Sequence, residues 1–570
     1  MAFQFLDSSL LTISFIVALS FVVHYINSKH KSLKFLRGPP SLSWTFGNEY
    51  ELARQTESGE IEDPWVQEYG LVFRFASFFG RETLFVSDPK ALQHILHNSR
   101  YHYPKINGYR NDNHRIFGKS VVTVEGKAHQ RQRKVLNHAF SISELKTFLP
   151  LFQRSTTRLI AKWQERYFLK DSNDTTTKAL GLNSSEYEVI DILGWLFRFA
   201  LDVIGQAAFE YNFGALDEDD NVLTQILRHM NDDSFGPGIS KSFMFLRGLR
   251  RQFLVDPVFW NPFNPEVPFI WTKEDKRFNH WLSTVTKTAE TIFQKKAESK
   301  IHDIDEGNKD ILSVLVRSNS LEDPSKRLDD TEVLHQMGTI ILGGHETIAI
   351  TSSWLLYELS RHPEHQERVL KEIKQVKKHK ADGESFTWSD YDSMTFSNAC
   401  IKEALRLYPV IVNMFRYADC DDIIPLSDPI ISASGERLTE IPVRKWQRIR
   451  VNVSNYHRLQ SVWGPDADTW NPERHINDSL KKETTLGVFA NLLSFSGGVR
   501  ACIGWRFALM EMQTILTELV SVFEFSIDPN LDIFITAQGA AAPVVRGKED
   551  EGIQMPLKVR PRQNSSLSWK

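Results

Sequence analysis

A mainly α-helical fold with a minor β region is the class this sequence predicts, on three observations. Apolar residues recur at helical spacing over long stretches, notably Glu188–Tyr211, Asp330–Arg361 and Ile503–Phe523. β-type runs are short and few: Leu71–Phe75, Thr83–Val86 and Arg448–Val453. Apolar residues make up 41% of the chain and charged residues 24%, the balance of a folded globular protein.

The first element is a membrane signal. From Phe3 to Ile26 the chain is nearly all apolar, with Gln4, Asp7 and His24 as the main exceptions. Leu10–Ile26, with Phe3, Phe5 and Leu6 before it, reaches the roughly 20 residues that span a bilayer. Lys29, His30, Lys31, Lys34 and Arg37 follow, which places the rest of the chain in the cytosol. No basic stretch precedes the apolar run and no small-x-small site follows it, so it reads as an anchor and not as a cleaved signal. Residues 1–27 are therefore a transmembrane anchor. Residues 28–40 form a basic, Pro-rich hinge, because Gly38-Pro39-Pro40 breaks any helix. Residues 41–560 form one globular domain, and 561–570 a polar tail.

Within that domain, Lys170–Glu186 and His302–Lys309 are polar and read as surface connectors. Lys241–Trp271 mixes Phe, Trp and Leu with Arg247, Arg250 and Arg251. It reads as a core segment, with a membrane-dipping loop as the alternative. The net charge of −3 does not point to nucleic acid. Three cysteines, Cys400, Cys420 and Cys502, are too few for a disulfide framework and fit a reducing compartment. Cys400 and Cys420 read as buried structural residues.

Cys502 is different, because of its neighbours. Phe495-Ser-Gly-Gly498-Val-Arg500-Ala-Cys502-Ile-Gly504 has the pattern F-x-x-G-x-R-x-C-x-G just before an amphipathic helix. The helix N-terminus favours a thiolate at Cys502. Gly498 and Gly504 let backbone approach a flat macrocycle. Phe495 packs beneath such a ring and limits water, and Arg500 is placed for a ring carboxylate. A thiolate pushes electron density onto a bound iron and favours O–O cleavage. The loop resembles the haem-binding signature of the cytochrome P450 family, and further motifs follow in that family's order over nearly the whole chain after the hinge.

The resemblance implies the cytochrome P450 fold, with haem b held between the cysteine loop and a long oxygen-side helix. Cys502 becomes the axial ligand of the iron. Asp329-x-x-Glu332 is a capping box that opens the long helix, which runs to about His362 before Pro363. Gly343-Gly344-His345-Glu346-Thr347 lies in its middle. Two mid-helix glycines cost roughly 1 kcal/mol each, a local conflict expected at a functional site. They widen a groove for dioxygen over the iron. Thr347 and Glu346 bring protons to it. The family's last position here is Thr or Ser, and this chain has Ile348.

Glu403-Ala-Leu-Arg406 places an acid and a base on one helical face. The family pairs that motif with the Arg of a later segment, here Pro472-Glu473-Arg474, in a buried charge network. Trp470 and His475 stand where the family often has Phe. Gly126–Arg133 resembles the family's W-x-x-x-R helix with His129 in place of Trp, which assigns His129 and Arg133 to the haem propionates. Arg416 matches a third propionate contact. Asp202-Val-Ile-Gly205 with Phe209 resembles a structural core helix.

The implied reaction is RH + O₂ + two electrons + two protons giving ROH and water. No G-x-G-x-x-G fingerprint is present, so electrons come from another protein. The anchor implies an NADPH-cytochrome P450 reductase in the endoplasmic reticulum membrane, with cytochrome b5 as a second donor. Basic residues near Cys502 and on Arg131–Lys134 suit an acidic partner. The expected cavity segments are mostly apolar, among them Ile411, Val412, Met414, Phe415 and Ala540–Ala542, so the substrate is lipophilic. The chain looks most like fungal members that tailor secondary metabolites, terpenoids among them. Two other classes stand beside this one. A haem-thiolate isomerase or dehydratase needs no reductase, and such enzymes often lose the Thr that this chain keeps at 347. A non-catalytic haem carrier explains Cys502 but not Glu346-Thr347.

Overall fold

In the computed structural model the chain gathers into two units, each assembled from three separate segments. The structure describes residues 33–168, 187–217, 222–230, 234–249, 251, 272–299, 310–381, 383–476, 485–537 and 539–562. The expected anchor, the start of the hinge, the connectors 170–186 and 302–309, residues 252–271 and nearly all of the tail lie outside them.

One unit comprises residues 1–110, 235–270 and 413–456. Its sheet has four strands in the order Val72–Ala76, Glu82–Val86, Arg448–Asn452 and Asn413–Tyr417. Glu82–Val86 runs parallel to Arg448–Asn452, and the other neighbours are antiparallel. The three β-type runs read from the sequence thus appear within a residue of their expected bounds. Phe73 stacks on Phe85 at 4.4 Å between ring centres, and Trp65 covers both Phe73 and Phe75. A hairpin of Asp422–Ile431 with Arg437–Val443 completes the strands. The end of the expected hinge packs onto this unit. Leu33 and Leu36 are buried, and the Arg74 amide donates to the Arg37 carbonyl at 3.0 Å. A Cβ on Gly38 would stand 1.8 Å from the Arg74 carbonyl oxygen, so only glycine passes there.

The other unit comprises residues 111–234, 271–412 and 457–570. Its helices are, among others, α1 (Gly126–Ala139), α2 (Leu149–Trp163), α3 (Ile192–Phe209), α4 (Lys273–Ser299), α5 (Asp330–Arg361), α6 (Thr395–Leu407) and α7 (Trp505–Val522). The capping box at the start of α5 is complete: the Asp329 carboxylate accepts from the Glu332 amide at 2.7 Å, and Glu332 returns the bond to the Asp329 amide at 3.1 Å. The helix ends at Arg361, because Pro363 cannot continue it and opens the next helix instead. α5 packs against α3, α4, α6 and α7, so most of its faces are buried.

Two readings of the sequence change here. Glu188–Tyr211 was expected to be helical throughout, but Glu188–Asp191 is a strand and α3 starts at Ile192. Backbone pairing with Pro556–Val559, out of reach of any local pattern, decides the conformation. Cys420 was expected to be buried, and it is exposed, while Cys400 is buried as expected. Among the described residues α3 is the one helix long and apolar enough to cross a membrane, yet it is mostly buried and serves as a core helix.

Candidate functional site

The cysteine loop is a tight backbone device. Ser496 and Gly498 both adopt positive φ, 57° and 61°, which turns the chain back on itself. The Cys502 amide then donates to the Phe495 carbonyl at 2.8 Å and closes the turn. Gly504 forms the N-cap of α7, so Cys502 sits just before a helix start, as its spacing predicted. Phe495 is buried under the loop. α1 is tied to the same loop: Arg133 donates from Nη1 to the Ala501 carbonyl at 2.7 Å. Arg500 pairs with Glu125, the residue before α1. His129 is buried on α1.

Cys502 has an unusual environment. Its side chain is accessible, yet burial is the main influence on its thiol and pushes the pKa up. The Gly504 amide and the Arg133 charge pull the other way without prevailing. The sulfur therefore keeps its proton unless a cation binds it. A haem iron fits that demand, and guanidinium and imidazole groups lie on the adjoining α1.

The two glycines of α5 do different work. A Cβ on Gly344 would stand 2.6 Å from Ile204 Cδ1, so this glycine lets α3 pack closely. A Cβ on Gly343 would meet no atom within 4 Å, and Gly343 is exposed. No protein group requires a glycine there, which leaves room for a ligand beside the helix. Thr347 Oγ1 donates to the Gly343 carbonyl at 2.7 Å, and Thr351 Oγ1 to the Thr347 carbonyl at 2.8 Å. Glu346 is partly accessible, and burial raises its carboxyl to about 7. Ile348, where the family has a second hydroxyl, is buried. His345, which the sequence did not single out, is buried 5.0 Å from the Phe197 ring, and burial lowers it to about 3, so it is neutral.

The structure brings Glu403, Arg406 and Arg474 together, with further partners. Glu403 accepts two 2.8 Å bonds from Arg406 and one of 2.9 Å from Arg474 Nε. His475 adds a contact from Nε2 at 2.9 Å, and the Asn471 amide donates at 2.9 Å. Burial alone would raise the Glu403 carboxyl, but Arg406 and His475 outweigh it and hold it down to about 2. His457 extends the network. Arg406 donates to the His457 carbonyl at 2.6 Å, and His457 Nε2 accepts from the Leu493 amide at 2.8 Å, two residues before Phe495. The network is thereby joined to the cysteine loop through one side chain. His457 had no sequence signal, and His475 stood out only as a replacement for the family's usual Phe.

Arg416 lies on strand Asn413–Tyr417 of the sheet-bearing unit. It is buried, and burial lowers its pKa to about 10. Among the described residues it has no acidic partner, a setting that suits an anionic ligand. The basic residues expected to dock a partner are partly spent: Arg131 pairs with Glu332, and Lys134 with Glu322 at 2.6 Å.

The family model for cytochrome P450 matches residues 37–543. Cytochrome P450 monooxygenase 205 of Postia placenta is 30% identical over 546 residues, covering 95% of each chain. Cytochrome P450 monooxygenase claP of Ampulloclitocybe clavipes is 29% identical, covering 92% of each. A ganoderic acid synthetase of Ganoderma lucidum is 29% identical over 86% of this chain and 88% of its own. A thiol at a helix start, a glycine in mid-helix that faces open space and a buried Glu–Arg–Arg network agree with what these comparisons establish, that the chain belongs to the cytochrome P450 family of haem-iron monooxygenases.

Proposed function

We propose that this enzyme inserts one oxygen atom into a lipophilic secondary metabolite, with Cys502 as the axial ligand of haem b. The accessible Cys502 side chain just before α7, in a loop tied to α1 through Arg133, carries the reading. When bound, the haem supplies an iron that activates dioxygen with two electrons from outside. The protein supplies the rest. The Gly504 amide and Arg133 offset the negative charge of the Cys502 sulfur. His129 and Arg133 would hold propionates, as would Arg500 in exchange for its Glu125 partner, and Arg416 is a guanidinium suited to an anion of that kind. Gly498 and Gly504 keep side chains away from the ring, and Phe495 keeps water from the sulfur. Gly343 opens α5 for dioxygen, whereas Gly344, expected to share that role, seats the helix against Ile204 of α3.

Glu346 and Thr347 move protons. A carboxyl near pKa 7 both gives and regains a proton at neutral pH. The Thr347 hydroxyl is oriented by its bond to Gly343, and Thr351 offers a second hydroxyl one turn on. That residue stands in for the hydroxyl lost at Ile348. The network of Glu403, Arg406 and Arg474 fixes the floor on which the cysteine loop rests.

The electrons come from an NADPH-cytochrome P450 reductase, with cytochrome b5 as an additional donor, at the endoplasmic reticulum membrane where residues 1–27 anchor the chain. Kinship with secondary-metabolism members, one of them named a ganoderic acid synthetase, supports a lipophilic natural product, and a terpenoid panel is the first to try. An isomerase or dehydratase would turn over without reductase. Expression with a reductase, with and without NADPH and oxygen, distinguishes the two by product analysis. Cys502→Ser should abolish both product and the thiolate-type Soret band of the reduced carbon monoxide complex. Undiminished oxygenation by that variant would end this assignment.

A further inference from the structure

Two segments of the sheet-bearing unit run side by side. The Tyr417 amide donates to the Pro104 carbonyl at 3.1 Å, and the Asp419 amide to the His102 carbonyl at 2.9 Å. Lys105 and Arg416 form a bridge in the same ladder. This backbone pairing sets His102 beside Asp419 and Cys420. His102 Nδ1 lies 3.0 Å from Asp419 Oδ1 and 3.8 Å from Cys420 Sγ. All three ligand atoms lie within 4.8 Å of one another.

We infer that His102, Asp419 and Cys420 form a surface binding site for a zinc ion. A tetrahedral zinc with ordinary bond lengths separates its N and O ligands by about 3.3 Å and its N and S ligands by about 3.6 Å. The observed spacings differ from these by a few tenths of an ångström, within reach of side-chain rotation. Imidazole, carboxylate and thiolate together suit zinc, whereas magnesium and calcium take oxygen donors. Three protein ligands leave the fourth position to water.

The surroundings favour a cation. Asp421 and Asp422 flank the ligands. Asp422 is fixed by His94 and by the Tyr103 hydroxyl, each at 2.8 Å, and Asp421 accepts from the Lys445 amide at 2.7 Å. Partial burial, the Asp419 bond and the neighbouring aspartate charges all push the Cys420 thiol up. A bound dication reverses that balance and releases the thiol proton. His102 is 62% exposed and Asp419 39%, so an ion reaches them without any opening of the fold. The plain alternative is a His–Asp hydrogen bond with a cysteine beside it. It predicts that zinc leaves Cys420 as reactive as before.

The test uses the purified full-length haem-loaded protein, stripped with a chelator and then dialysed against zinc. Elemental analysis should find a single zinc retained, and alkylation of Cys420, followed by peptide mass spectrometry, should slow when zinc is present. Cys420→Ser and His102→Gln should each weaken zinc binding by about tenfold or more while the reduced carbon monoxide band stays unchanged. Equal zinc affinity in both variants and parent, or alkylation indifferent to zinc, overturns the site.

Discussion

Single residues carry the chemistry, and not all of them were legible. Cys502 was, because glycines and an arginine at fixed spacing surround it and a merely structural cysteine has no use for them. Gly343 and Gly344 stood out as helix costs, but the sequence could not separate their roles. One admits Ile204 and the other faces open space, a distinction set by what lies across from each. The partners of His345, His457 and His475 were invisible in the sequence, since they lie far along the chain. Glu346 makes a prediction at this scale. Burial raises its carboxyl to about 7, and in the proposed role the protonated form is the donor, so product formation should fall as pH rises through that value. In Glu346→Gln the fall should vanish and kcat should drop on the order of 10²-fold. A variant whose pH profile retains the parent's inflection would place the titrating group elsewhere.

Elements were read well where local pattern decides them. α5 begins at its capping box and ends one residue short of the expected bound. The conversion of Glu188–Asp191 to a strand shows the limit: four residues with a helical apolar pattern yield to a partner strand more than 360 residues away. α6 carries the prediction at this scale. Arg406 is wholly buried and donates to Glu403, His457 and Ala467. Arg406→Met removes a counter-charge from Glu403 and should cost about 3–5 kcal/mol. A fall in thermal midpoint with loss of the carbon monoxide band is expected. Parent-like unfolding of the variant would show that Arg474 and His475 suffice alone.

At the scale of the whole molecule, acid is the informative stress. Glu403 is held down to about 2 in the fold, below its usual 4.5, so the folded state favours its charged form. That stabilisation is fully present above pH 4.5 and is lost as pH falls from there toward 2. Acid unfolding of the parent should therefore be steep in that window, and Glu403→Gln should flatten it while lowering stability at neutral pH. An identical acid limb in both proteins would show that other carboxylates dominate. Neither unit is continuous in sequence: strands near residue 85 pair with strands near 450, which no local window can reveal.

The three-stranded sheet places Pro556–Pro561 in its middle, between Glu188–Asp191 and Phe523–Ser526. A ribosome making this chain has to translate some 370 residues after Glu188 before the keystone strand exists. Until it emerges, both outer strands present unsatisfied backbone edges to solvent. Nascent chains stalled before codon 556 should consequently be chaperone clients, and release past codon 561 should free them.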